Sequence, residues 1–266
     1  MRVVIVYSWA RDTGAASVRA DGSVDWRGGR TAPGEDDPAA LAVARQLAED
    51  TGGEVTGLTL GDGDASWVLA RGVGSTWSVG DAPLLADDAA TAGILAAAVR
   101  AIGDVDVVVV GDAAERAGVP AALAGLLGWP ALLGVTAASA VGEAPGAAGT
   151  AGTAGATDGV GAADATAVRV TRPSPSGTET ITAAPPLVLG VAAESGTHRA
   201  PGMKELLAAR RRPVTPLTLA RIGAGADDVT SRGTELPPAA PTRVFEGPPD
   251  QVAGQLVAAL RAGGVL

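Results

Sequence analysis

Two short runs, RVVIVY at 2–7 and DVDVVVVG at 104–111, constrain the fold of this chain most. Neither alternates polar with apolar residues over its β-branched core, so each reads as a strand buried on both faces. The segments around them supply what would cover those faces. DPAALAVARQLAEDTGG (37–53) reads as a helix, with Asp37 as N-cap, Pro38 at the first helical position and Gly52 as the stop. EVTGLTLG reads as a strand, DASWVLARGVG as a helix and STWSVG as a short strand. DDAATAGILAAAVRAIG and RAGVPAALAGLLGWP are two further helices, the second closing at Gly128 ahead of Pro130. Strands alternating with helices at this spacing predict an α/β fold, a doubly wound and mostly parallel sheet.

The pattern breaks at residues 137–166, AASAVGEAPGAAGTAGTAGATDGVGAADAT, which hold almost no large apolar side chain. Such a stretch buries too little surface to offset its ordering entropy, so 142–166 is expected to be a disordered loop. LLGVTAASAV before it reads as a strand, and AVRVTRPSPSGTETITA after it as a hairpin turning at Ser176-Gly177. PLVLGVAA returns to the central sheet. An earlier hairpin is expected around Asp21-Gly22. After Val214 the chain reads as Pro-rich and irregular, until Val252, Leu256, Val257 and Leu260 line one face of a terminal helix. This predicts a domain over 1–214 and a C-terminal arm over 215–266 that docks on a partner subunit.

Several function classes fall away on composition. With no cysteine there is neither a disulfide nor a thiolate chemistry to consider. A net charge of −9 argues against a nucleic-acid binder. No leader pattern precedes the first strand and no apolar run reaches spanning length, so a soluble, cytoplasmic protein without membrane insertion is expected. His198 is the one histidine, without a G-x-S-x-G elbow beside it, and reads as a surface residue. There is no P-loop and no G-x-G-x-x-G after the first strand. No catalytic or metal-binding constellation emerges, so the chain is not read as an enzyme. Two loops could hold a ligand at the carboxyl ends of the strands: YSWARDT after the first and GDAAERAG after DVVVV. Gly111 allows a sharp turn, and Gly118 lies where a helix N-terminus could meet an anion. Both glycines fit plain tight turns equally well.

The remaining feature is HRAPGMKELLAARRRPV at 198–214, an apolar-faced helix running into three arginines in an acidic chain. It suits a docking segment, with an apolar anchor for hold and charge for steering. It also suits a core-packed helix whose terminal cations favour its negative end.

Taken in order, these segments resemble the beta subunit of electron transfer flavoprotein, including its nitrogen-fixation-type branch. RVVIVYSWARDT resembles that family's opening strand and Val-Pro-Asp-Thr-like loop through Asp12 and Thr13. Asp37, Ala40 and Leu41 match its Asp-x-x-Ala-Leu helix. DVDVVVVG and LAGLLGWP are similar to its Asp-Leu-Val-Leu-x-Gly strand and Leu-Ala-Glu-Leu-Leu-Gly-Trp-Pro helix. The 198–214 segment resembles its recognition loop, with Arg199, Met203, Lys204, Arg210, Arg211 and Arg212 on the matching positions and Ala200 where the family has tyrosine. The resemblance implies a Rossmann-like, adenine-nucleotide-binding scaffold paired with an alpha subunit. It implies an FAD shared with that subunit, a partner dehydrogenase met by Met203, and a structural AMP. Tyr7, Ser8, Asp37, Gly111, Asp112, Gly118 and Val119 are the positions carried over to the cofactor site. The family's phosphate-gripping loop is shortened to GDAAERAGVPA, its lysine after the strand glycine is Asp112, and Glu115 adds a second acid. A lysine of the first loop is also replaced near Ser8. AMP is therefore expected to bind weakly or not at all. Two alternatives use the same scaffold: a non-redox nucleotide-binding regulator, and an interaction protein that has lost its nucleotide.

Overall fold

A computed structural model describes residues 1–11, 16–25, 31–61, 63–83, 87–112, 116–142, 166–192, 200–225 and 242–266. In chain order the strands β1 (Arg2–Val6), β2 (Trp9–Arg11), β3 (Ser17–Val18), β4 (Val24–Asp25) and β5 (Thr31–Pro33) precede helix α1 (Asp37–Thr51). Then come β6 (Glu54–Leu60), α2 (Ser66–Leu69), β7 (Ser75–Val79), α3 (Asp88–Ile102), β8 (Val107–Gly111), α4 (Gly118–Leu127), β9 (Ala131–Val135) and β10 (Ala137–Val141). The hairpin β11 (Ala167–Ser174) and β12 (Gly177–Ala183) leads to β13 (Leu187–Val191), α5 (Met203–Ala209), β14 (Thr215–Leu217), α6 (Leu219–Ile222) and α7 (Pro249–Ala262). The chain divides into two compact units, Met1–Ala16 with Trp26–Arg232, and Ser17–Asp25 with Gly233–Leu266.

The first unit is built on a seven-stranded sheet in the order β14-β7-β6-β1-β8-β13-β9, parallel at every pairing. This is the expected doubly wound, Rossmann-like α/β fold. Its middle follows from the β-branched runs. Val3 and Ile5 of β1 join one core with Ala40, Ala44 and Leu47 of α1, while Val4 and Val6 join the other with Leu95, Val99 and Leu123 of α3 and α4. Val107, Val108 and Val109 are completely buried, so β8 contributes side chains to both layers. Each such side chain is worth roughly 1.5 kcal/mol or more in burial. Much of the buried face of α1 and α3 is alanine.

The structure refines four expectations. DASWVLARGVG makes only the single turn α2, because Gly72 takes a φ of +95° and the chain re-enters the sheet at Ser75. LLGVTAASAV is two strands, β9 in the main sheet and β10 in a three-stranded antiparallel sheet with β11 and β12. That smaller sheet is tied to α1 by the Ala140 N–H, which donates to Asp50 Oδ2 at 2.9 Å. The stretch after Val214 is not irregular at its start: Thr215–Leu217 form the edge strand β14, and Leu217 is buried. The N-cap of α1 is Asp36 rather than Asp37, with Gly52 closing the helix in the left-handed region as expected. Residues 143–165 of the low-complexity stretch lie outside the described residues.

In the second unit, Asp21 Oδ1 accepts from the Ser23 N–H and Oγ–H, fixing the β3–β4 turn, and Arg19 pairs with Asp25 at 3.0 Å. Helix α7 buries none of its residues, and Leu256 and Val257 are exposed. Among the described residues no helix is long and apolar enough to cross a membrane.

Candidate functional site

The sheet order itself locates a crevice. From β1 the chain moves outward through β6 and β7, then returns to place β8 on the other side of β1. Ligands of open parallel sheets collect where the order reverses, outside the carboxyl ends of the strands. Val6 pairs with Val110 there, so Tyr7 and Ser8 leave the sheet beside Gly111 and Asp112. A pocket opens at this point, lined by Tyr7, Ser8, Trp9, Asp37, Gly111 and Val119, with Thr91 and Leu95 of α3.

Asp37 organises one wall. Although α1 starts with it, its carboxylate does not cap the helix. Asp37 Oδ2 accepts from the Ser8 N–H at 2.7 Å, the Ser8 Oγ–H at 3.2 Å and the Gly34 N–H at 2.8 Å. The loop leaving β1 is thereby fastened to the turn before α1. Burial pushes the Asp37 carboxyl up to about 6, with those three donors and then the nearby Asp36 modifying the effect. Gly111 is favoured by close approach: a Cβ there would stand 3.0 Å from Asp36 Cβ and 3.1 Å from Asp37 Oδ1.

Tyr7 lies beneath. It is 1% exposed, shares a hydrogen bond with Thr76 Oγ1 at 3.1 Å, and its ring lies 6.2 Å from that of Trp67. Burial raises its hydroxyl to about 12, which keeps it a neutral phenol at any working pH.

The other sequence-assigned positions stand at the rim. Asp112 Oδ2 accepts from the N–H of Gly134, which takes a φ of +67°. Gly118 opens α4, and its N–H donates to Asp88 Oδ2 at 3.0 Å. Glu35 and Arg116 also line the pocket. The structure thus brings Tyr7, Ser8, Asp37, Gly111 and Val119 to one pocket, with Asp112 and Gly118 beside it. Sequence reasoning missed Asp88, Trp9 and Arg116. Trp9 and Arg116 stood in the two loops already singled out, and Asp88 was signalled by a second acid after the cap in DDAAT. Asp12, Thr13 and Glu115 lie outside the described residues. Among the described residues no cluster of acids and histidine could hold a metal ion.

The recognition-type segment is a separate place. Helix α5 lies on the surface with Ala209 as its one buried residue. Met203 is 72% exposed and Leu207 52%, so neither belongs to the core. Glu205 Oε2 accepts the Gly202 N–H at 2.7 Å and secures the start of the helix. Lys204, Arg210 and Arg211 are exposed. Arg212 differs: its guanidinium donates to the Val73 carbonyl at 3.0 Å and to the Gly74 carbonyl, clasping the end of α5 to the β7 approach. Arg199 and His198 lie outside the described residues.

No curated protein matches the chain. A family model described as the electron transfer flavoprotein domain matches residues 30–221, which takes in α1 to α5 and the strands from β5 to β14 but not β1. With that match over well more than half of its length, on the fold just described, the chain belongs to the electron transfer flavoprotein domain family.

Proposed function

We propose that the chain is the beta-type subunit of a heterodimeric electron transfer flavoprotein, relaying electrons from a partner dehydrogenase through an FAD held mainly by an alpha subunit in the cytoplasm. The observation that carries this reading is α5: in a chain of net charge −9, Met203 and Leu207 stand out from the surface beside Lys204, Arg210 and Arg211. An exposed apolar tip beside cations is the arrangement of an anchor with electrostatic steering.

The pocket at the strand ends does not fit the diphosphate of FAD. Glu35 and Asp37 are acidic, and Arg116 is the one cation among its described lining residues. That supports placing the dinucleotide on the alpha subunit. When bound there, FAD supplies the redox chemistry. This chain's own residues position loops and present a surface, and none of them is assigned a chemical step.

The docking reading is tested with Met203→Ala in the intact flavoprotein complex. Loss of a buried methionine contact worth roughly 1.5–3 kcal/mol should weaken dehydrogenase binding by about one to two powers of ten. Flavin content and Tm should remain at wild-type values, since Met203 is exposed in the chain. Unchanged electron transfer from the dehydrogenase would overturn the assignment of Met203 as anchor.

A further inference from the structure

We propose that Asp88 fills from within the anion position at the N-terminus of α4, so that the cleft of this chain holds no phosphate-bearing nucleotide. This goes beyond the redox reading and does not depend on it.

Helix α4 lacks a capping side chain. Its N-cap is Ala117, which has no side chain able to accept from the first-turn N–H groups. Such groups and the helix dipole together attract an anion. The anion present is a carboxylate of the same chain: Asp88 Oδ2 accepts the Gly118 N–H at 3.0 Å. The approach is built for it, because a Cβ at residue 118 would stand 2.5 Å from that oxygen and 3.3 Å from Asp88 Cγ. Any larger residue at 118 would force the carboxylate to shift.

Asp88 is also spare where it originates. Asp87 already caps α3, its Oδ1 accepting from the Ala90 N–H at 2.7 Å. Asp88 follows in the first turn of α3, so one carboxylate serves the positive ends of two helices. The surroundings are mostly acidic, with Arg116 as the one cation among the described residues that line the pocket. Asp112 is engaged with the Gly134 N–H, and Asp37 with Ser8 and Gly34. A phosphate entering here would meet carboxylates whose nearest backbone donors are already taken. The structural AMP implied by resemblance therefore does not fit these residues.

The test is calorimetric titration of the full-length chain, as purified, with inorganic phosphate and with AMP. Wild type should show no saturable binding of either ligand at millimolar concentration. Asp88→Ala should bind both, at least tenfold more tightly than wild type, because the Gly118 N–H is released. Asp88→Asn keeps the shape and an acceptor oxygen but removes the charge. It should gain less, and it decides the question if the alanine variant does not fold: phosphate should then raise its Tm and leave that of wild type unmoved. Stoichiometric AMP on wild type would overturn the proposal. So would a folded Asp88→Ala with no more affinity for phosphate than wild type, which would make Asp88 a plain tie between α3 and α4.

Discussion

The Asp37 carboxyl sits beneath Ser8 and Gly34, and burial outweighs the three hydrogen bonds it accepts. Its folded value of about 6 lies above its ordinary 3.8. Between those values the folded state binds the proton that the unfolded state has released, so this group's contribution to stability falls as pH rises through that window. Above it the ionised carboxylate costs on the order of 2–3 kcal/mol. Asp37→Asn keeps an acceptor oxygen for the Ser8 and Gly34 donors and removes the charge. Its Tm should exceed that of wild type by roughly 5 °C at pH 8, with the difference shrinking towards zero near pH 4. Thermal melts across that range check the sign, and a difference independent of pH contradicts it. The sequence singled out Asp37 but assigned it the N-cap. Asp36 and Asp37 both precede Pro38 and both are buried, but the donor that takes up Asp37 is Ser8, 29 residues away. Asp88 was hidden for the same reason, since its partner Gly118 lies 30 residues on. Local patterning reports the caps and periods of a segment, whereas such ties exist only once the sheet has brought distant loops together.

At the scale of elements, the three arginines that end α5 separate into two kinds. All three are exposed, but the Arg212 guanidinium is clasped on the Val73 and Gly74 carbonyls. Arg212→Ala should therefore lower stability by about 1 kcal/mol, seen as a Tm lower by a few degrees. Reversing Arg210 and Arg211 to Glu should leave Tm in place and slow association with the dehydrogenase, most strongly at low salt where screening is least. A double reversal that melts early while associating normally would contradict this division. The sequence showed the run of arginines but could not rank them, because the accepting carbonyls belong to the approach to β7. A second element-scale consequence concerns β10 and β11. Val141 pairs with Ala167 in an antiparallel ladder, so the ends of the intervening segment already stand side by side. Replacing residues 142–166 by a short turn keeps that pairing, and loop-closure entropy changes only slowly with length. The deletion should move Tm by a few degrees at most. A collapse of the melting transition, or loss of a copurifying subunit, would give the segment a structural or docking role.

For the whole molecule, the sheet was the most legible feature. RVVIV and VVVVG became neighbouring interior strands, where both faces of each are buried. The edge was less legible. Thr215–Leu217 carries a proline and sits in a Pro-rich stretch, yet edge position makes the missing N–H tolerable and β14 completes the sheet. The C-terminal helix followed its periodicity, and its exposed Leu256 and Val257 accord with the proposed arm that docks on an alpha subunit. Under the proposed function two surfaces divide the work: α5 for the dehydrogenase, α7 for the subunit that carries flavin. The most direct test is affinity purification of the tagged full-length chain from its native host, followed by denaturation and quantitation of released cofactors. The account predicts one second polypeptide in equal amount, one FAD per pair and no AMP. A chain that purifies alone and colourless, or with AMP as its only small molecule, would contradict it.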